Sequence, residues 1–314
     1  MQKYKFVINP VPLKKKHRIF LEQLRGRMQE SNTDFSYEYT SKMRGATQIS
    51  KEAARRGYDI VVACGGDGTL MEVANGIYGT RSKLGILPFG TSNDFAKHVG
   101  ITLDNVAEVL FEGKPREMNL GLVTFRNRDK EKKLLFCSTS GLGFDSDLLR
   151  LNRYKIFISL KKSLGSWIYI LCAFFMIFSY KSNEVDIIFR NKKLRLKLFM
   201  LNANFIKSMS GIKVTPNADI NNGSFDIIIF EEAGMIKKII GFVWYSITSK
   251  KLDFKEINYI STKSGAGNRH GLHDVNSFSV KSKIPIGLQL NGDFVGCTPI
   301  KFNIAKKKIE LLAK

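Results

Sequence analysis

An α/β domain on a parallel, doubly wound sheet, joined to a second, mostly antiparallel β domain, is the fold class this sequence predicts. Three observations carry the prediction. The first third alternates short apolar runs with helical spacings. Two glycine-bearing loops each follow a run apolar enough to be buried on both faces. After about Asn119 the helical spacings give way to short alternating segments. A chain of 314 residues with 44% hydrophobic content can fill two cores. The expected division is a domain over residues 1–119, completed by the C-terminal segment 300–314, and a β-rich domain over 120–299.

The elements follow in order. Tyr4–Asn9 reads as a first strand, and Leu21, Leu24 and Met28 mark the buried stripe of a helix. Phe35–Thr40 alternates like a strand, and Thr47–Arg56 reads as a helix closed by Gly57. The continuous apolar run Asp59–Cys64 is the kind a parallel sheet buries on both faces. The turn Gly65–Gly68, a helix through Ile77 and a second buried strand at Leu84–Leu87 follow. Beyond Asn119 the strand candidates are Lys133–Thr139, Val185–Phe189, Leu194–Asn202, Phe225–Phe230, Phe278–Val280 and Ile286–Leu290, with helices at Ile156–Tyr180 and Met235–Ser249. Two domains of this kind leave a cleft between them.

Composition bounds the chemistry. Cys64, Cys137, Cys172 and Cys297 show no CxxC spacing, so reduced thiols outrank a disulfide framework or a zinc site. His270 and His273 lie in a glycine-rich loop with no third ligand nearby, and a solvated loop is the better reading. Ser138-Thr139-Ser140-Gly141 lacks the first glycine of a nucleophile elbow. The opening apolar run is too short and too early for a secretory signal. The segment from Leu164 to Tyr180 is uncharged but broken by Gly165 and Ser166, and predicts a buried or interfacial helix rather than a membrane span. Phe174-Phe175 within it reads first as core, and for an acyl-chain substrate this helix is the choice for the tunnel wall.

The formal net charge is +22. General solubility accounts for much of that excess. Of the functional readings, an anionic lipid surface outranks nucleic acid, because no recognition-helix, RNP or zinc-finger pattern accompanies the charge.

The decisive segment is Gly65-Gly66-Asp67-Gly68-Thr69-Leu70-Met71-Glu72. Between a buried strand and a helix, its backbone N–H groups sit at the positive end of a helix dipole. Its glycines let phosphate oxygens approach the backbone. A bare Asp67 carboxylate would repel phosphate there unless it works through Mg²⁺ or beside the attacking hydroxyl. The plainer alternative is a turn in which Asp67 or Thr69 caps the helix. The second loop, Pro88-Phe89-Gly90-Thr91-Ser92-Asn93-Asp94-Phe95, again follows a buried strand and supplies a glycine, hydroxyls, an amide and a carboxylate. Ligands of open α/β sheets bind outside such strand ends. For Asn93 and Asp94 the alternative is capping of the helix that follows, but two such loops in succession favour a site.

GGDGTLMEVANGI and LGILPFGTSNDFAKHVGI resemble the two signature loops of the diacylglycerol kinase catalytic domain, shared with bacterial lipid kinases and sphingosine kinases. The likeness runs along nearly the whole chain. Asn9-Pro10 and Thr40 match early positions, and Ser140 to Asp145 resembles the glycine-rich approach to the second domain. Pro216-Asn217-Ala218 and Asn222-Gly223 resemble a Pro-x-Ala…Asp-Gly segment, and Asn291-Gly292-Asp293 falls where the family usually has Asp-Gly-Glu. NAD kinases share the first loop but not the second. The resemblance implies a fold like those two kinase groups and ATP held by Asn9, Pro10, Thr40, Gly65, Gly66, Asp67, Gly68, Thr69, Leu70, Glu72, Gly90, Thr91, Asn93 and Asp94. It further implies Asp293, with Asp67, in the catalytic step, and Mg²⁺, with Asp219, Asn222 and Ser224 as a structural metal set.

Three departures stand out. Val11-Pro12-Leu13 and three lysines replace a glycine-bearing phosphate loop, Asn221-Asn222-Gly223 replaces Asp-Asp-Gly, and Asp293 is one methylene shorter than glutamate. The expected function is transfer of the γ-phosphate of ATP to the hydroxyl of a diacylglycerol-like lipid. The expected partners are that lipid and an anionic membrane surface, with no nucleic acid and with room for a homodimer. The expected location is cytoplasmic, peripheral at the inner face of the membrane. The rival readings are a catalytically silent nucleotide- or lipid-binding homologue and a soluble small-molecule kinase.

Overall fold

The structure, a computed structural model, describes residues 2–41, 45–127, 130–151, 167–189, 192–209, 218–232 and 275–314, with positions 154, 157, 160, 212, 213 and 215. The chain opens β1 (Lys3–Ile8), α1 (Lys15–Glu30), β2 (Asp34–Tyr39), α2 (Gly45–Arg55), β3 (Ile60–Gly65), α3 (Asp67–Ile77) and β4 (Lys83–Pro88). These strands pair in parallel in the order β2-β1-β3-β4. Order reverses between β1 and β3, which opens a crevice at their C-terminal ends where such sheets take ligands. All six residues of β3 are buried, as its unbroken apolar run requires of a strand covered by helices on both faces. His17, Leu21, Leu24 and Met28 form the buried stripe of α1, so the i, i+3, i+4 spacing read from the sequence is the packing face.

Two short helices, α4 (Asp94–His98) and α5 (Val106–Glu112), lead to the edge strand β5 (Lys114–Met118). The chain then crosses to a nine-stranded sheet: β6 (Gly121–Asn127), β7 (Lys130–Phe136), β8 (Ser140–Gly143), β9 (Asn183–Phe189), β10 (Lys192–Asn204), β13 (Asp226–Glu231), β14 (Ser277–Ser282), β15 (Gly287–Leu290) and β16 (Asp293–Ile304). Every pairing in it is antiparallel, and the bond between β14 and β16 closes it into a barrel. A two-strand ribbon, β11 (Ser208–Met209) and β12 (Ile212–Lys213), lies apart. Two helices pack on the barrel, α6 (Phe144–Arg150) and α7 (Trp167–Ser179). The last strand, β17 (Ile309–Ala313), returns to the first sheet, parallel to β4 and antiparallel to β5. The return falls after Ile304, a few residues later than the expected position 300, because β16 continues through Ile304 in the barrel.

Within the expected helix over 156–180 the described part is α7 with positions 157, 160 and 180, while the expected helix over 235–249, His270 and His273 lie outside the described residues. The edge strand β5 and, in the barrel, β6, β8 and β16 went unread in the sequence. Exposed, charged Lys114–Glu117 carries no hydrophobic alternation, as suits an edge. The helix chosen for the tunnel wall is α7, and among the described residues it turns Phe174 and Phe175 outward, the latter 69% exposed. Cys64 and Cys137 are buried, whereas Cys172 and Cys297 are partly exposed.

Candidate active site

The two glycine loops meet backbone to backbone. Phe89 N–H and Gly90 N–H both donate to the Gly65 carbonyl, at 2.9 and 3.1 Å. A side-chain carbon on Gly90 would stand 2.4 Å from Gly66 Cα, so Gly90 excludes any residue with a Cβ, while one on Gly66 would stand 3.3 Å from Gly90 Cα, a tight contact. Asp67 ties the loops from the other side. Its carboxylate oxygens accept the N–H of Asp94 (3.1 Å) and of Phe95 (3.0 Å), so it caps α4, the helix of the second loop. Both the capping alternative and a site role were open for Asp67 in the sequence, and capping across to the neighbouring loop was foreseen by neither. Asn93 sits in the left-handed region (φ 50°) and donates to the Pro88 and Gly90 carbonyls, stapling its own loop.

Around this pair the expected nucleotide residues gather unevenly. Asn9 ends β1; its Nδ2 donates to Thr69 Oγ1 (3.1 Å) and its Oδ1 accepts Val11 N–H (3.0 Å). Thr40 closes β2, its N–H on the Ile8 carbonyl. Leu70 and Asp94 are buried, Pro10 and Thr91 exposed at loop tips. Glu72 points to α2, where its carboxylate accepts Ala46 N–H. The first-turn N–H groups of α3, at Asp67 to Thr69, have no partner within the helix, which starts at the C-terminal end of β3. Together these elements form a cradle for an anion. Lys14 to Lys16 start α1, whose His17 stacks on Phe89 at 4.6 Å and accepts Lys14 N–H.

Asp293 arrives from the barrel. Asn291 and Gly292, with φ of 49° and 86°, make the tight turn between β15 and β16, and Asp293 is the first residue after it. Its Oδ2 lies 3.5 Å from where a Cβ on Gly68 would stand, directly over the first turn of α3. Several contacts fix this approach. Asn291 exchanges two bonds with Thr139, its N–H to the carbonyl (2.8 Å) and its Oδ1 from the N–H (3.2 Å). Gln289 Oε1 accepts Gly292 N–H (2.9 Å), and its Nε2 donates to the Asp145 carboxylate (3.2 Å). Asp145 also accepts from Asn202 Nδ2 (2.9 Å). Burial pushes the Asp145 carboxyl up to about 7 against these donors. Asn75 of α3 docks the barrel, donating to the Leu135 carbonyl (3.0 Å) and accepting its N–H (3.1 Å). The sequence reading missed Asn75, Gln289 and Asn202. A polar side chain inside an apolar segment was the available signal for each.

The expected metal set does not suit a tightly held divalent cation. Asp219 Oδ1 accepts Asn221 N–H (2.9 Å) and Asn222 Oδ1 accepts Ser224 N–H (3.0 Å), so the loop closes on its own amides. The set offers a single carboxylate, and no cluster of three His, Cys, Asp or Glu occurs among the described residues. No step is assigned to a metal at this loop.

A parallel sheet with a glycine loop after each of two adjacent strands, β3 and β4, closed by a β-barrel that presents a carboxylate to the first loop, suits a two-domain phosphotransferase. Residues 3–123, which carry both glycine loops, match the diacylglycerol kinase catalytic domain. A diacylglycerol kinase of Bacillus subtilis is 27% identical over 308 residues, covering 96% of this chain and 93% of its own. One from Staphylococcus haemolyticus is 26% identical, with 98% and 87% covered. Among solved structures, a diacylglycerol kinase of Bacillus anthracis superposes with a TM-score of 0.73 at 18% identity, covering 100% of this chain and 97% of that one. A yeast NADH kinase in complex with NADH superposes with a TM-score of 0.54 at 10% identity, with 100% and 84% covered. These two share the fold.

Proposed function

We propose that this kinase transfers the γ-phosphate of ATP to the hydroxyl of a diacylglycerol-like lipid, with Asp293 as general base. The observation that carries the reading is the Asp293 carboxylate held over the first turn of α3, beside Gly68. A phosphate seated on the N–H groups of that turn would lie next to a hydroxyl hydrogen-bonded to Asp293. The hydroxyl proton passes to the carboxylate as its oxygen attacks phosphorus, and ADP leaves. Catalysis of this kind rests on positioning and charge stabilisation, which backbone donors at a helix start supply. A magnesium ion bound to the nucleotide phosphates would supply neutralisation of their charge. The family relationship supports a kinase, and the curated relatives named diacylglycerol kinase support a lipid as acceptor.

The test is transfer of labelled phosphate from ATP into a panel of lipids. Diacylglycerol or a close relative should be labelled. Asp293→Asn should keep nucleotide binding and lower turnover by about 10²–10⁴-fold, the usual general-base contribution. Asp293→Glu, with its longer reach, should retain or raise activity. Full activity in the asparagine variant removes Asp293 from the role. A wild type inert on every lipid beside an active glutamate variant would identify a silent binder.

A further inference from the structure

Helix α7 packs by one narrow face. Ala173 and Ile177 are buried against Phe144, with Leu148, Phe199 and Met200 around them. On the outward face Leu171, Phe174, Phe175 and Phe178 are 47, 37, 69 and 43% exposed. Their spacing of i, i+3, i+4 and i+7 makes one stripe along the helix. The three phenylalanine rings touch edge to face, at 5.7 and 5.2 Å between centroids. Ten large apolar side chains are exposed among the described residues, and six lie between Tyr154 and Phe178. Such concentration marks an interaction surface rather than scattered exposure.

Charge selects the occupant. Between Asp147 and Glu184 the sequence carries six basic residues, Arg150, Arg153, Lys155, Lys161, Lys162 and Lys181, and no acidic one. A second copy seated on this stripe would bring two such basic segments of chain together, which opposes association. An anionic lipid leaflet suits an apolar stripe carried by a basic segment of sequence. The 13 residues of α7 span about 20 Å, short of the roughly 30 Å hydrocarbon core. No helix among the described residues is long and apolar enough to cross a membrane. The fitting geometry is therefore a helix lying in the interface plane. Helix α6 lies between α7 and the reacting turn: Phe144 packs on α7, while the Arg150 guanidinium sits over the Phe294 ring at 5.2 Å, next to Asp293.

We propose that the Leu171–Phe178 face of α7 seats the enzyme in the surface of an anionic leaflet, placing the Asp293 turn one helix away from lipid acceptors. The inference extends the lipid-acceptor reading above and is tested apart from it. Wild-type protein should partition onto phosphatidylglycerol-containing vesicles, more weakly as salt rises, and poorly onto pure phosphatidylcholine. The Leu171→Asp/Phe175→Asp double variant should keep its thermal midpoint and lose about 100-fold in partition, about 2.8 kcal/mol at 1.4 per tenfold. Independently, Phe175→Trp should add a blue-shifted emission, quenched by brominated lipid, when vesicles are present.

Equal partition of the double variant and wild type overturns the proposal, as does a Phe175→Trp emission that vesicles leave unchanged. A wild-type dimer that the double substitution dissociates, with no vesicle binding by either form, assigns the face to a second copy. A large fall in thermal midpoint with no vesicle binding by the wild type assigns it to another part of this chain. Both results refute lipid docking. A short-chain diacylglycerol, dispersed as monomers, should be phosphorylated equally by wild type and variant. If neither form acts on it, the acceptor reading fails while partition still decides the docking face.

Discussion

Replacing Gly90 by alanine tests the contact on which the proposed nucleotide cradle rests. The new Cβ would stand 2.4 Å from Gly66 Cα, 2.6 Å from Asn93 Oδ1 and 3.1 Å from Gly66 N. Non-bonded carbons rest at about 3.5–4.0 Å, so the two loops must part by roughly 1 Å. That movement stretches the 2.9 and 3.1 Å bonds from Phe89 and Gly90 to the Gly65 carbonyl towards breaking. Each is worth about 1 kcal/mol net, so a loss of about 2 kcal/mol in stability is expected. For a chain of this size that is a fall of about 3 °C in thermal midpoint. A displacement of about 1 Å at a reacting centre costs turnover on the order of 10²-fold. Differential scanning calorimetry reads the first effect, titration calorimetry with ATP and a phosphotransfer assay the second. Gly26→Ala, at a position with nothing within 4 Å in mid-α1, is the control and should stabilise by about 0.5–1 kcal/mol. A Gly90→Ala protein with wild-type midpoint and wild-type nucleotide affinity would refute the loop-on-loop construction of the site.

Asp145 gives the pH dependence: its folded carboxyl lies near 7 against an ordinary value of 3.8, because burial disfavours the charge. Between those values the folded chain holds a proton the unfolded chain has released. Stability therefore falls as pH rises through this window, by up to about 1.4 kcal/mol per unit, and Asp145→Asn should remove that component from a series of urea melts. Gln289→Leu cuts the link from Asp145 to Gly292 N–H, and turnover should drop roughly tenfold with the lipid KM little changed, since a positioned base must sit within hydrogen-bond reach. A parallel rise in KM would place Gln289 in the acceptor pocket instead. Chelation of divalent ions should leave the thermal midpoint of the nucleotide-free protein unchanged, because loop 219–224 is closed by its own amides.

Local signals decided most of the fold. The run Ile60–Gly65 had to be a buried parallel strand, since six apolar or small residues in succession leave no face for water. The stripe of Leu21, Leu24 and Met28 had to be the inner face of a helix, because nothing else brings that spacing together. Glycine loops after two such strands placed the candidate site at the sheet's C-terminal edge. These inferences need only periodicity, burial and the conformational range of glycine, all of which act over a few residues.

What remained depended on residues far apart in the chain. Whether Asp67 faced a ligand or capped a helix was undecidable locally, since its partners, the N–H groups of Asp94 and Phe95, lie 27 and 28 residues away. The same holds for Asp293, whose approach to Gly68 is set by Asn291 on Thr139 and by Asn75 on Leu135. Helix α7 makes the point most plainly. Its composition allowed a tunnel wall or an interfacial helix, and only the packing of Ala173 and Ile177 against Phe144 turned the phenylalanines outward. A sequence states which side chains shun water, but tertiary packing alone decides which of them find protein to cover them.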